Sequence, residues 1–153
     1  MKKNMIRKIA MVLIAVMALT MVGCGSSATK QEEKTEESAA GVTVDYGTSE
    51  LYTKEDMDAA IKAIEDEIGT WEGVELHNIR FTDDQTCKDN VSYVNELGNG
   101  ETFDECIVFL TDFHSPVDPP QPTAWEADTE YTDYQWYLGR AKGGDWKILT
   151  MGY

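Results

Sequence analysis

The segment Phe103 to Phe113, reading FDECIVFLTDF, sets the hardest condition on any fold for this chain. Ile107, Val108, Phe109 and Leu110 are consecutive and apolar, so a strand through them points apolar side chains to both of its faces. Such a strand belongs in a sheet covered on both sides, at least over its middle. All four prolines (Pro116, Pro119, Pro120 and Pro122) follow at once, and His114 to Pro122 therefore reads as an extended loop.

Cover for such a sheet is written earlier in the chain. Met57, Ala60, Ile61, Ile64 and Ile68 recur at helical spacing and form one apolar stripe, with Asp58, Lys62, Glu65 and Asp66 on other faces. Thr53 is the expected N-cap, with Glu55 and Asp56 in the first turn where the helix dipole favours acids. Asp56 takes the place of the usual Glu or Gln of a capping box, and Gly69 is the expected stop. Val74 and Leu76 alternate in one phase and Ile79 and Phe81 in the other, which predicts a strand with a bulge at His77-Asn78. Lys88 to Leu97 reads as a weaker helix on Val91, Val94 and Leu97. Glu130 to Arg140 and Trp146 to Tyr153 alternate as strands, joined by the hairpin connection AKGGD at 141–145. The order helix, strand, helix, strand, strand, strand predicts an α+β domain. Its amphipathic helix packs on one face of a curved, mostly antiparallel sheet.

Charge and hydropathy divide the 153 residues into three parts: 1–23, 24–41 and 42–153. Residues 42–153 hold 24 Asp or Glu against 7 Lys or Arg, a balance of −17. That disfavours nucleic-acid binding, which rests on basic contacts to phosphate, and favours basic or cationic partners. Residues 25–41, GSSATKQEEKTEESAAG, contain no aliphatic side chain larger than Ala and no aromatic, so with Cys24 they read as a solvated tether. The first 23 residues carry Lys2, Lys3, Arg7 and Lys8 and no acid. The 14 uncharged residues from Ile9 to Val22 fall short of the ~20 that a membrane-spanning helix needs and have the proportions of a secretory signal core.

Two resemblances follow. Met21-Val22-Gly23-Cys24, at the end of that run, resembles the lipobox of bacterial lipoproteins. The resemblance implies cleavage before Cys24, a diacylglyceryl thioether and often an N-acyl chain on it, and anchoring at the extracytoplasmic face of the cell membrane. Two or three acyl chains hold far more firmly than one, at about 0.8 kcal/mol per buried CH₂. Residues 50–153 resemble the cone-shaped folds of the nuclear transport factor and cystatin type, through their element order and the ending Trp136-Tyr137-Leu138, Gly143-Gly144-Asp145-Trp146-Lys147-Ile148 and Gly152-Tyr153. That ending is similar to the closing hairpin of many bacterial lipoproteins with this fold. The resemblance carries no catalytic motif to a position in this chain.

Residues able to do chemistry are few. His77 and His114 are the only histidines. His114 stands two residues after Asp112, on the same face of a strand, where a carboxylate can orient an imidazole for acid–base work. A small pocket enzyme of hydrolase or isomerase type using that pair is the alternative to a binding or accessory module. Ser49, Ser92 and Ser115 lack the G-x-S-x-G setting of a nucleophile. No H-E-x-x-H or C-x-x-C spacing occurs, so neither a metal nor a cofactor is expected. Asp83-Asp84 and Asp104-Glu105 are acids able to meet across strands and chelate Ca²⁺, though the EF-hand spacing is absent and a solvated face explains them more simply. With Cys24 lipidated, Cys87 and Cys106 remain, and a bridge between them closes a loop of about twenty residues worth ~3 kcal/mol. Trp125, Tyr131, Tyr134, Trp136, Tyr137, Trp146 and Tyr153 crowd the last thirty residues. Strict alternation puts Tyr134 and Trp136 on one face and Tyr131 and Tyr137 on the other; one set is core, with Trp146, and the other lines a groove or pocket, where aromatic walls suit sugars, apolar ligands or cations.

Overall fold

A computed structural model describes residues 35–38, 41–122 and 124–153. The signal segment, the lipobox, Cys24 and the first part of the tether lie outside the described residues. Among the described residues nine elements follow in order: β1 (Thr35–Glu37), β2 (Thr43–Asp45), α1 (Lys54–Ile68), β3 (Glu75–Phe81), α2 (Asp84–Asp89), α3 (Val91–Leu97), β4 (Glu105–His114), β5 (Glu130–Arg140) and β6 (Lys147–Gly152). The fold is α+β, with one open sheet of six strands in the order β1-β2-β3-β4-β5-β6. Every pairing is antiparallel except β2 with β3. A parallel pair needs a crossover, and α1 supplies it.

The five apolar residues of the α1 stripe are all buried. Both halves of the capping box form: Thr53 accepts from the Asp56 amide at 3.2 Å, and Asp56 accepts from the Thr53 amide at 3.0 Å. Asp56 is thus long enough to close the box in place of Glu. Gly69 ends the helix with φ −59°, in the right-handed region, so it is not the left-handed glycine stop that the sequence suggests. What it supplies is room, since a Cβ there lies 3.1 Å from the Glu65 carbonyl oxygen.

Register sorts the strand residues into two faces. Ile79 is opposite Thr111 and Phe81 opposite Phe109, while Phe109 is opposite Trp136 and Ile107 opposite Leu138. This set faces α1 and none of it is more than 6% exposed. At one end of that face, Arg140 donates to Asp56 at 2.6 Å and to Glu105 at 2.5 Å, tying the first turn of α1 to β4 and β5. Its guanidinium also lies 4.3 Å from the Trp146 ring, and the Trp146 indole N–H donates to the Asp56 carbonyl. At the other end, Trp71 stacks on Trp136 at 5.5 Å and meets Phe113 and Trp125.

Four expectations are corrected. First, β1 lies inside the segment read as tether and β2 just beyond it. Edge pairing is made by backbone groups and needs no large side chain, and Glu36 also reaches Lys54 at 3.2 Å. Second, the weaker helix begins earlier and is broken in two at Asn90, which adopts φ −100° and ψ 5°. Third, the acids read as a calcium alternative are committed elsewhere. Asp83 caps α2, Asp84 holds Ser49 and the Glu50 amide, Asp104 accepts from the Lys142 amide, and Glu105 pairs with Arg140. Fourth, β5 bulges: Thr111 is opposite Tyr134 but Phe113 is opposite Tyr131, so β5 has one residue more than β4 over this step. Asp133 takes the left-handed conformation there, with φ 58°, which Asp tolerates better than most residues. The extra residue reverses the alternation. Tyr131 therefore joins Tyr134 and Trp136 on the α1 face, stacked on Phe113 at 5.1 Å, and Tyr137 faces the other way without it. The bulge expected at His77-Asn78 is present as a register shift between Leu76 and Asn78.

Candidate functional site

The face of the sheet opposite α1 is covered over only half its length. Cys106 and Val108 of β4 lie under α2 and α3, buried together with Cys87 and Val94. Beyond them Leu110, Asp112 and His114 are only half-buried. Length explains this: ten strand residues extend about 34 Å, whereas helices of six and seven residues extend about 10 Å each. The uncovered half is the candidate site.

At its centre Asp112 is held on three sides. Its carboxylate accepts from Asn78 Nδ2 at 2.7 Å and from the Asp133 amide at 2.8 Å, with Arg80 at 3.6 Å. Arg80 also pairs with Asp133. Burial raises the Asp112 pKa, but the Asp133 amide, Asn78 and Arg80 outweigh it and hold the carboxyl below its usual range. Asp112 is therefore a fixed anion that fastens the β5 bulge to β3.

His114 does not pair with it. Residues two apart on a strand sit about 7 Å apart, and here each finds a nearer neighbour. The His114 ring stacks at 6.5 Å on His77, and its Nε2 lies 3.7 Å from Asp128. His77 Nδ1 lies 2.9 Å from Glu130. The sheet thus brings the two histidines together, by setting Glu75 opposite His114, and keeps Asp112 out of that group. The contact between His114 and Asp112 expected of an acid–base pair is not formed; the carboxylates beside the imidazoles are Glu130 and Asp128. Ser115 is fully buried and its hydroxyl donates to the Glu126 carbonyl at 2.5 Å, fastening the 116–129 loop to the end of β4.

The expected bridge between Cys87 and Cys106 is not formed either; both are buried free thiols. Burial pushes Cys87 up to about 11 and Cys106 up to about 12, so both stay protonated at neutral pH and are poor nucleophiles.

Two of the clefts among the described residues carry tyrosine side chains. One, of about 260 Å³, lies between the β2–α1 connection and the start of α1, lined by Tyr46, Ser49, Tyr52, Lys54 and Met57 among others. The Lys54 ammonium lies 4.2 Å from the Tyr46 ring and pairs with Asp58 and Glu36, so the polar groups there satisfy one another. The other, of about 300 Å³, lies on the half-covered face between α3, β5 and β6. Tyr93, Tyr137 and Tyr153 line it with Asn90, Gln135 and Thr150. Alternation sets Tyr137 on the face opposite Tyr134 and Trp136, and the structure makes that face the half-covered one. Tyr93 was legible as an aromatic lying off the Val91, Val94 and Leu97 stripe, but nothing in the sequence brings it to within 5.3 Å of Tyr137. Neither His114 nor Asp112 lines either cleft.

No protein-family model, curated protein or solved structure matches the chain.

Proposed function

We propose that the chain is a lipoprotein held at the extracytoplasmic face of the cell membrane by acyl chains on Cys24, and that it acts there as a binding or accessory module. The cone-type resemblance belongs to this reading as far as the element order from α1 to β6 carries it. The anchor rests on the basic start, the 14-residue apolar run and Gly23-Cys24. Thr35, the first residue of β1, stands eleven positions after Cys24, a reach of at most about 40 Å, so the anchored domain works close to the bilayer.

The observation that carries the binding role is the uncovered half of the sheet. A folded domain leaves a built polar and aromatic surface there, with Asp112, Arg80 and Asn78 locked in place beside a tyrosine-lined cleft. The negative balance of residues 42–153 favours basic or cationic partners around that surface and opposes polyanions. The enzyme alternative lacks the His114–Asp112 contact it needs.

Membrane fractionation of cells expressing the full chain tests the anchor. The protein is expected in the detergent-soluble membrane fraction with a mass that includes acyl chains, and Cys24→Ala is expected to abolish that mass. An unacylated wild-type protein contradicts the anchor. A photo-crosslinking residue at Tyr153 tests the binding face against one at Lys62, on an exposed part of α1. Adducts at Tyr153 and none at Lys62 are expected; equal labelling contradicts the reading.

A further inference from the structure

We propose that the tyrosine cleft between α3, β5 and β6 binds a neutral saccharide of one or two rings. This names a ligand for the half-open face and rests on the binding reading above.

Three features of the cleft argue for this class. The first is the absence of charged side chains in its lining. The domain carries 24 acids and 7 bases, yet no Asp, Glu, Lys or Arg lines this cleft. A cationic ligand is drawn by acidic side chains in the wall and an anionic one by Lys or Arg; the wall has neither kind. Two acids near Tyr153, Asp112 and Asp133, share Arg80 as their cation. The second is the arrangement of rings. Tyr93 and Tyr137 meet at 5.3 Å and 82°, making two walls of a corner. Tyr93 is 40% exposed and Tyr153 76%, and these are two of the four exposed large hydrophobic residues among the described residues. Two such rings in one small cleft are exposed aromatic surface with a use. A pyranose presents a flat face of C–H groups, which an aromatic ring covers, and a rim of hydroxyls, which need donors and acceptors.

The third feature supplies those groups. The Tyr137 hydroxyl donates to Gln135 Oε1 at 2.6 Å, which fixes the orientation of the amide. The Gln135 Nε2 donors and the Thr150 hydroxyl make no hydrogen bond to another group among the described residues. An oriented amide and a hydroxyl beside two aromatic walls match both parts of a sugar: stacking on its C–H face and hydrogen bonds to its rim. At about 300 Å³ the cleft stands at the lower end of the range for small-molecule sites, ~300–1,000 Å³, which limits the ligand to one or two rings.

Titration of the full-length protein in a sugar-free detergent tests this, with cellobiose and N,N′-diacetylchitobiose as probes and choline and spermidine as cationic controls. The readout is the shift of backbone amide resonances. At least one disaccharide is expected to saturate with Kd of about 1 mM or tighter, moving the amides of residues 135–137 and 150–152. Tyr93→Ala and Gln135→Ala are each expected to weaken it tenfold or more, Tyr93→Phe to keep most of it, and Lys62→Ala to change nothing. Urea midpoints of the same variants show whether the fold is retained; if Tyr93→Ala unfolds, Gln135→Ala decides. No saturation by either sugar, choline binding in their place, or unchanged affinity in the folded variants overturns the proposal. Crosslinking at Tyr153 without saccharide binding overturns the saccharide alone, whereas loss of both removes the binding reading too.

Discussion

The two faces of this sheet are made by the same strands and differ in almost everything else. Toward α1, Ile79, Phe81, Phe109, Phe113, Trp136 and Leu138 form a continuous layer, closed by a helix of fifteen residues. On the other side the same strands offer Leu110, Asp112, His114, Gln135 and Tyr137, and two short helices cover only the half that holds Cys106 and Val108. Stability is thus concentrated on one face, and the other leaves polar and aromatic groups such as Gln135 and Tyr137 only half-buried. Separation of this kind lets a modest domain keep a surface for binding without weakening its core.

Breaking the covered face has the largest expected effect. Phe109→Ala removes a fully buried ring that meets Phe81 at 5.8 Å, and urea unfolding is expected to show a loss of about 3–5 kcal/mol. Arg140→Met is next, at about 2–3 kcal/mol, because it leaves Asp56 and Glu105 partly buried without their shared cation. That loss depends on pH. The Thr53 amide and Arg140 hold the Asp56 carboxyl below its usual range despite burial. Its contribution is present above the unfolded value of about 3.9 and disappears as pH falls through the lower folded value. The gap between wild type and Arg140→Met is therefore expected to narrow below about pH 4.

Smaller effects sharpen the comparison. Gly139 leaves room for Phe103, whose ring lies 2.8 Å from a Cβ built at that position. Gly139→Ala is expected to cost about 1–2 kcal/mol by thermal melting, since the ring is itself buried and has little room to yield. Thr53→Ala removes the capping box and is expected to cost about 1 kcal/mol.

The covered face was the more legible of the two. Helical spacing identified all five buried residues of α1, and alternation placed the bounds of β5 at Glu130 and Arg140. Both signals are side-chain periodicities, which burial against a single surface enforces. What escaped depends on backbone geometry or long-range register. β1 pairs through main-chain groups in a polar sequence. The β5 bulge turns on a left-handed Asp133, and Asp carries no unique signal for that conformation, so Tyr131 was put on the wrong face. The meeting of His77 with His114, and of Tyr93 with Tyr137, needs the register of β3 on β4 and the break at Asn90 that sets α3. Asp112 and His114 share a face as their spacing requires, but a shared face is not a contact.

Gln135 and Trp136 are neighbours on β5 that point to opposite sides of the sheet, and they offer the most direct test. Equilibrium urea unfolding of Gln135→Ala and Trp136→Ala, measured side by side, compares the two faces at one point of the backbone. A loss of about 3–5 kcal/mol is expected for Trp136→Ala and no more than about 0.5 kcal/mol for Gln135→Ala. Comparable losses for the two variants would contradict this division of the faces, because the half-open face would then be carrying the fold as well.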